Sequence, residues 1–419
     1  MFEPDVPTSV AERRAGPDTS AVGPAPLAVE ALGVDALGVE VLTTFSEARG
    51  LFDEWKTLFR ESGSRNPFTD PTWLLAWAEH FVGGNDLFVV AVRDRGRLCC
   101  VAPFYRRRLG RGPVTLARSL QLLGAVEHVV LTERPQILTG GERDRRVVRR
   151  VLEVIQADDG WDWTELSLAG EQGWFDPSWI DASSAAKPFV VHKTSRPSVG
   201  MRLPADLDAL QSGLKRNLRE SLRRARNRLN RTGAPWRIEV VTEAAQFGEA
   251  IESLMELHGA RAAMSDTVAH DDMFVDGGDR DFARDVLSRL AREGSAEALF
   301  LEVDGHRVAG LMTLLAPDAV YMCFSGVEPE WWSFSAVTLL QWEAVGRAVS
   351  AGRTYADLSV GVDVAKLRWS AAVVIHPEFF VVAGRRRSRL AFAAYFLAAA
   401  AARARRERGH FRRNTSRPE

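Results

Sequence analysis

The sequence predicts an α/β protein with mixed, largely antiparallel sheets flanked by helices. Three observations predict it. Between Leu299 and Trp369, period-two strand patterns, a tight turn, a helix start and several ionisable residues follow one another closely. A helix, helix, hairpin order occurs earlier, between Glu47 and Tyr105. The chain of 419 residues is long enough for two to three domains at about 100 to 200 residues each.

Composition bounds the function. With 46% hydrophobic and 26% charged residues, the chain reads as an ordinary soluble protein. A net charge of -1 argues against a chain that is globally a nucleic-acid binder, so basic charge must act locally. Cys99, Cys100 and Cys323 lie in apolar strand patterns and cannot form a disulfide framework, which points to a reducing cytoplasm. The acidic start Met1-Phe2-Glu3-Pro4-Asp5 does not read as a signal peptide, and no run of 18 apolar residues occurs.

Residues 1–36 are rich in Ala, Pro and Gly without a sustained period and read as a disordered leader. A strand from Val39 to Thr43 then leads to Ser46, a potential N-cap, and a helix from Glu47 to Glu61 with Leu51, Trp55, Leu58 and Phe59 on one face. Asp70-Pro71 opens a second helix through Trp73 and Trp77. Strands follow at Leu87 to Arg93 and Leu98 to Tyr105, turning at Arg95-Gly96. The Gly110-Arg111-Gly112-Pro113 stretch reads as a hairpin tip. A strand from Val114 to Leu123, a helix from Glu142 to Gln156, and strands at Trp163 to Leu168 and Phe189 to Thr194 complete a first half without an ionisable cluster.

Residues 204–233 read as one amphipathic helical stretch. Leu210, Leu214, Leu218, Leu222, Ala225 and Leu229 form its apolar stripe. From Lys215 to Arg231, Lys215 and seven arginines are accompanied by Glu220 as the sole acid. Such a face is either simply solvated or meets an anion: cofactor phosphates, a nucleic-acid backbone or an anionic lipid. A strand from Trp236 to Val241 and a helix from Glu243 to Ala262 follow, placing His258 and Arg261 on one face. Asp266 to Asp281 reads as a loop that could cover a cleft, and Phe282 to Glu293 as a helix.

The central stretch then reads as strands Leu299 to Val303 and Val308 to Leu315, turning at Asp304-Gly305, and a third strand, Ala319 to Gly326. Ser333 or Ser335 could cap the next helix, which ends near Gly352. A short buried strand, Thr354 to Ser359, contains Asp357, and Gly361 to Trp369 contains Asp363 and Lys366. A carboxylate in an apolar strand needs a partner, which Lys366 or Arg261 could supply. Beyond Pro377 come a strand, Glu378 to Val382, and an alanine-rich helix, Arg385 to Arg413. That helix has arginines at both ends and either packs on the fold or lies on an anionic membrane surface.

These features resemble the GNAT-type acyltransferases, in the branch of CelD-like and FemAB-like proteins with two GNAT-like halves. The resemblance rests on the hairpin and third strand, the Ser333-Phe334-Ser335-Ala336-Val337-Thr338-Leu339-Leu340 entry, and the Asp357, Gly361, Asp363, Lys366, Trp369 series. The branch usually shows a Gly in that entry, where Ala336 stands, and an acid three positions before the Lys, which Asp363 supplies. With His258, Arg261 and the region of Trp73 to Pro103, the resemblance covers most of residues 38–383. It implies a tandem GNAT-like fold with a first half over 37–200, degenerate in its site, a second half over 201–384, and a basic helix and tail over 385–419.

The resemblance further implies transfer of an acetyl or other acyl group from acyl-CoA to an amine on a small molecule or peptide, with no metal. The pyrophosphate site maps to Phe334, Ser335, Ala336, Val337 and Thr338, where helix amides and dipole suit phosphates. Met322 to Gly326, including Phe324 and Ser325, and Leu358 to Val360 would wall the pantetheine slot. Asp357, Lys366, Tyr321 and His258 are the catalytic candidates, and Arg261, Glu328, Asp363 and Trp369 the substrate-binding ones. Glu328 and Asp363 are further candidates for proton transfer. Two rival readings are a FemAB-like transferase of an aminoacyl group from tRNA, favoured by the basic stretch, and a non-catalytic scaffold, favoured by Ala336. No metal-ligand spacing, Gly-x-Ser-x-Gly elbow or phosphate-loop lysine occurs. The expected location is the cytoplasm, with peripheral contact at the inner membrane surface as an option.

Overall fold

A computed structural model describes residues 37–83, 86–111, 114–125, 131–140, 145–167, 188–265, 267 and 270–415. The expected leader, the tip at 112–113 and part of the 266–281 loop lie outside the described residues. The first half contains β1 (Gly38–Leu42), α1 (Phe45–Gly50), α2 (Phe52–Glu61), α3 (Pro71–Phe81), β2 (Leu87–Asp94), β3 (Arg97–Arg111), β4 (Val114–Leu122), β5 (Leu138–Thr139), α4 (Arg145–Ala157), β6 (Trp163–Ser167) and β7 (Phe189–Arg202). The remainder contains α5 (Leu207–Gly213), α6 (Arg216–Arg231), β8 (Trp236–Val241), α7 (Ala244–Ala262), α8 (Gly277–Arg292), β9 (Ala296–Val303), β10 (His306–Ala316), β11 (Ala319–Val327), α9 (Ala336–Ser350), β12 (Tyr355–Val360), α10 (Val364–Trp369), β13 (Val373–Val382) and α11 (Arg386–Thr415).

The strands form two mixed sheets. One has the order β1-β2-β3-β4-β6-β13, with β5 paired to β3, and the other β8-β9-β10-β11-β12-β7. Each has a single parallel pair among the described residues: β4 with β6, and β11 with β12. The last strands are exchanged. β7 leaves the first half to pair with β12, and β13 leaves the second half to pair with β6. β7 and β13 then pair with each other from Val373↔Val199 to Val382↔Phe189, so the sheets join edge to edge in one 13-stranded surface.

Helices from both halves share one core. Trp73 of α3 meets Phe282 of α8 edge to face at 5.4 Å, and Phe68 meets Tyr321 of β11 at 5.1 Å. Lys56 of α2 bridges Asp70 at 2.7 Å and Glu293, beyond α8, at 2.6 Å. On the opposite face of the second sheet, α5, α6 and α9 enclose Leu218, Leu222, Leu229, Ala336 and Leu339.

Several local expectations are corrected. Thr44, not Ser46, caps α1: its Oγ accepts from the Glu47 amide at 3.2 Å, while Glu47 Oε2 accepts from the Thr44 amide at 3.0 Å, a reciprocal capping box. The expected single helix over 47–61 is two, divided at Leu51. The stretch 204–233 is likewise divided, because Leu214 and Lys215 adopt extended backbone after Gly213. Gly277-Gly278, read as loop, begins α8, since Asp276 Oδ1 accepts from the Gly278 amide at 2.7 Å. β7 and β13 run longer than expected; β13 carries Pro377 at a register shift between His376 and Glu378, where a missing N–H is tolerated.

Because β12 takes its outer partner from residues before 203, a fragment of residues 203–384 would expose a strand edge and half of a shared core. It should show no cooperative thermal transition by circular dichroism; a sharp transition like that of the full chain would show that the halves fold independently.

Candidate active site

The parallel pairing of β11 with β12 covers only Ala319↔Tyr355, Val320↔Ala356 and Tyr321↔Asp357. Beyond it the strands part, and two irregularities drive them apart. In β11 the register with β10 steps from Thr313↔Met322 to Met312↔Phe324, leaving Cys323 as an extra residue. In β12 the register with β7 steps from Asp357↔Gly200 to Val360↔Ser198, and Ser359 takes a left-handed φ of 73°. The Ser359 amide thereby bonds Asp357 Oδ1 at 2.9 Å.

The first half fills the base of this wedge. Residues 131–140 are pinned to it by Trp73 Nε1 donating to Thr132 Oγ1 at 2.9 Å, by Asn66 Nδ2 donating to the Arg134 carbonyl at 2.8 Å, and by β5. From there Glu133 and Arg134 reach β11 and β12. The Glu133 carboxylate accepts from the Tyr321 hydroxyl, from Ser359 Oγ at 2.7 and 2.8 Å, and from the Val360 amide at 3.0 Å. Burial pushes its pKa up against these donors, while part of the side chain remains accessible.

Arg134 pairs with Asp357 at 3.0 Å, lies 4.9 Å from the Tyr321 ring centroid, and sits 3.3 Å from His376 Nε2. Burial raises the Asp357 carboxyl above its usual range although Arg134 opposes it. His376, on the exchanged strand β13, is also 2.9 Å from Ser198 Oγ of β7. Burial and the Arg134 charge lower its pKa to about 3, so it is neutral and accepts from its neighbours.

The partner of Asp357 is therefore Arg134, not Lys366 or Arg261. Lys366 Nζ instead donates to the carbonyls of Val360 at 2.5 Å, Gly361 at 3.3 Å and Ser359 at 3.4 Å. Burial lowers its pKa, opposed by the charges of Glu133, Asp363 and Asp357. The first half, expected to lack an ionisable cluster, supplies Glu133 and Arg134 to the cluster at the wedge. Glu133, Arg134, Ser198 and His376 were not singled out from the sequence, and Ser359 entered only within the Leu358 to Val360 wall. Tyr321, Asp357 and Lys366 were singled out, and the fold brings them together.

The other candidates are distributed around this cluster. Asp363 caps α10 by accepting from the Lys366 amide at 2.8 Å, and buried Trp369 donates to Gln341 of α9 at 3.1 Å. His258 is buried beneath residues 270–274, with Nδ1 3.0 Å from the Ser325 carbonyl and rings facing Phe274 and Phe324. It is held there because Gly326 lets the α7 backbone lie against β11: a Cβ on Gly326 would stand 2.3 Å from the His258 amide nitrogen. Arg261 stacks at 4.3 Å on Trp332, and Phe334 packs on Trp331. Glu328 lies apart from the wedge, in a groove of about 670 Å³ with Glu239, Glu249 and Arg307.

α9 starts at Ala336 after a 3₁₀ turn, Pro329–Phe334. Ser335 occupies the cap position with a left-handed φ of 57°, and its side chain makes no cap bond, contrary to the expected serine cap. Arg228 of α6 donates to the Ser333 carbonyl, and Lys215 donates to the Leu367 carbonyl at 2.7 Å. The basic helix thus lies along the α9 entry and α10. Its Arg219, Arg223, Arg224, Arg226 and Arg231 are exposed. Among the described residues no group of three or more His, Cys, Asp or Glu could hold a metal ion.

Residues 216–367 match the acetyltransferase (GNAT) domain family. A conserved protein of unknown function from Bacteroides thetaiotaomicron superposes with a TM-score of 0.53 at 12% identity, over 82% of this chain and 99% of that one. FemX superposes with a TM-score of 0.53 at 12% identity, over 81% of this chain and 97% of that one. No curated protein matches the chain significantly. The chain has a GNAT-type tandem fold related to that of FemAB-like proteins.

The buried ionic groups carry consequences for stability. Arg134→Ala leaves the Asp357 carboxyl buried without its cation and should cost about 3 to 5 kcal/mol in chemical denaturation; a loss under about 1 kcal/mol would show the pair to be solvent-screened. Glu133 binds its proton more tightly folded than unfolded, so its contribution to stability falls as pH rises from about 4.5 through its raised folded pKa. The melting temperature of the wild type minus that of Glu133→Gln should therefore decrease over that window, and a difference that rises with pH would reverse the assignment.

Proposed function

We propose that the chain is an acyltransferase that moves an acetyl or longer acyl group from acyl-CoA to an amine, with the second half holding the donor. The observation that carries this reading is the wedge between β11 and β12, which part beside the α9 entry and are closed at their base by two acids, a phenol and two cations. Parted strands offer unpaired backbone groups to an extended pantetheine. The Ser335 to Thr338 turn offers helix amides to the pyrophosphate, and α6 offers guanidinium groups to the remaining phosphate.

In this reading the amine attacks the thioester carbonyl carbon, the C–S bond breaks, and the thiolate leaves. The amine proton passes to the Glu133 carboxylate, which its raised pKa makes a stronger base, with Tyr321 hydrogen-bonded to it. Lys366 supplies positive charge near the developing oxyanion. Arg134 and Asp357 position Tyr321 rather than exchange protons. The acceptor is an amine of a small molecule or peptide.

Calorimetry with acetyl-CoA should show binding between micromolar and millimolar, roughly -8 to -4 kcal/mol. Thr338→Glu adds a carboxylate that a helix start tolerates but a phosphate repels, and should abolish that binding at unchanged melting temperature. Unaltered binding would remove the α9 entry from the site. With an acceptor in hand, Glu133→Gln in folded protein should lower turnover about a hundredfold or more and flatten the acidic limb of the pH profile; normal turnover would exclude Glu133 as the base.

A second reading, aminoacyl transfer from tRNA, is favoured by the exposed arginines of α6. Replacing Arg219, Arg223 and Arg226 should then weaken tRNA binding and lower the slope of its salt dependence by about one for each phosphate no longer neutralised. Absence of tRNA binding at low salt would leave the acyl-CoA reading alone.

A further inference from the structure

The long C-terminal helix α11 presents two apolar faces, and among the described residues one of them packs on the body while the other is exposed. Ser388, Ala391, Phe392 and Tyr395 face the body: Tyr395 stacks on Trp163 at 4.9 Å, and Phe392 meets Phe380 at 5.3 Å. The opposite side carries Leu390, Ala393, Ala394, Leu397, Ala401 and Ala404, which share one side of a helix and are all exposed. Leu390 is 73% and Leu397 69% exposed, with Phe396 at the flank 49% exposed. A solvated helix face carries charge; this one carries none from Leu390 to Ala402.

The ends are different. Arg386, Arg387 and Arg389 precede the apolar run, and six arginines between Arg403 and Arg413 follow it, with Glu407 the only acid in the helix. At the near end, Arg387 also lies 3.6 Å from Asp162 and Arg385 pairs with Asp159, which anchor the helix to β6 and its approach. Thirteen apolar residues span about 20 Å as a helix, short of the roughly 30 Å of a bilayer core. No helix among the described residues is long and apolar enough to cross a membrane.

We propose that the outward face of α11 docks flat on an anionic lipid surface, with Leu390, Phe396 and Leu397 entering the headgroup boundary and the exposed Arg386 and Arg405 meeting lipid phosphates. Charge selects this occupant over a second copy of the chain. Two such helices paired face to face would bring arginine-rich ends together with a single glutamate each to offset them, whereas an anionic surface neutralises them.

The test is co-sedimentation of the full chain with vesicles of phosphatidylcholine alone or with one third phosphatidylglycerol. Binding to the anionic vesicles should be at least about tenfold tighter and should weaken as salt is raised. Leu390→Glu with Leu397→Glu, at exposed positions, should keep the melting temperature and reduce vesicle binding at least about tenfold. Failure to bind either vesicle would overturn the proposal, as would equal binding to both. A dimer in light scattering that the double variant dissociates, without vesicle binding, would assign the face to a second copy instead. None of these outcomes depends on acyl transfer.

Discussion

The buried pair of Arg134 and Asp357 is the constraint on which the site depends. A charge withdrawn from water is tolerated only beside its counter-charge, and here the two charges come from different halves of the chain. Asp357 sits at the last paired position of β12, just before the strands part. The Arg134 guanidinium that neutralises it also lies against the Tyr321 ring on β11 and reaches His376 on β13. One cation therefore ties three strands together at the base of the wedge. It also fixes its neighbour Glu133, whose carboxylate occupies the positions that the Val360 amide and Ser359 hydroxyl would otherwise leave open.

Strand exchange makes this arrangement durable. β7 and β13 each lie in the sheet of the opposite half and pair with each other along the seam, so the halves are joined by a backbone ladder. Gly200 shows how close the fit is: a Cβ there would stand 1.6 Å from the Tyr355 hydroxyl oxygen. A second buried ionic node, Lys56 between Asp70 and Glu293, ties α2 and α3 to the end of α8. Residues 131–140 are thus held by a first half that cannot shift without breaking either the seam or this node. The first half contributes Glu133 and Arg134 to the buried ionic cluster as well as support.

Local periodicity made most strands and helices legible. Asp304-Gly305, with φ of 54° and 80°, forms the hairpin turn its residue types demand, and Asp70-Pro71 opens α3 as cap and first helical residue. Helix boundaries were less legible, because Thr44 and Ser46 are chemically similar caps and only the reciprocal bond with Glu47 separates them. The pairing of β13 between β6 and β7 has no local signal, since it joins residues about two hundred positions apart in sequence. In the site, Asp357 was legible as a carboxylate in an apolar strand, and Lys366 as an isolated lysine. Their true neighbours were not: Thr132-Glu133-Arg134-Pro135 has no helical or strand period to mark it. The left-handed Ser359, which turns the Val360 amide toward Glu133, is also invisible, because serine carries no preference for that conformation.

The departure at Ala336 acquires a physical reading from the geometry. A glycine in a helix entry serves either a left-handed backbone or a close approach of a ligand to the amides. The left-handed residue here is Ser335, one position earlier, so position 336 does not need glycine for its backbone. The Ala336 side chain is buried with Leu339 and Leu340 in the core beneath α6, so its methyl group belongs to that core. The cost of a left-handed serine is met by the contacts around it: Arg228 on the Ser333 carbonyl, Arg261 on the Trp332 ring, and Trp331 against Phe334. The first two of those contacts come from α6 and α7, on opposite faces of the sheet, and the third lies within the 3₁₀ turn itself. The conformation of the α9 entry is therefore set by the surrounding fold and not by the residue that usually permits it.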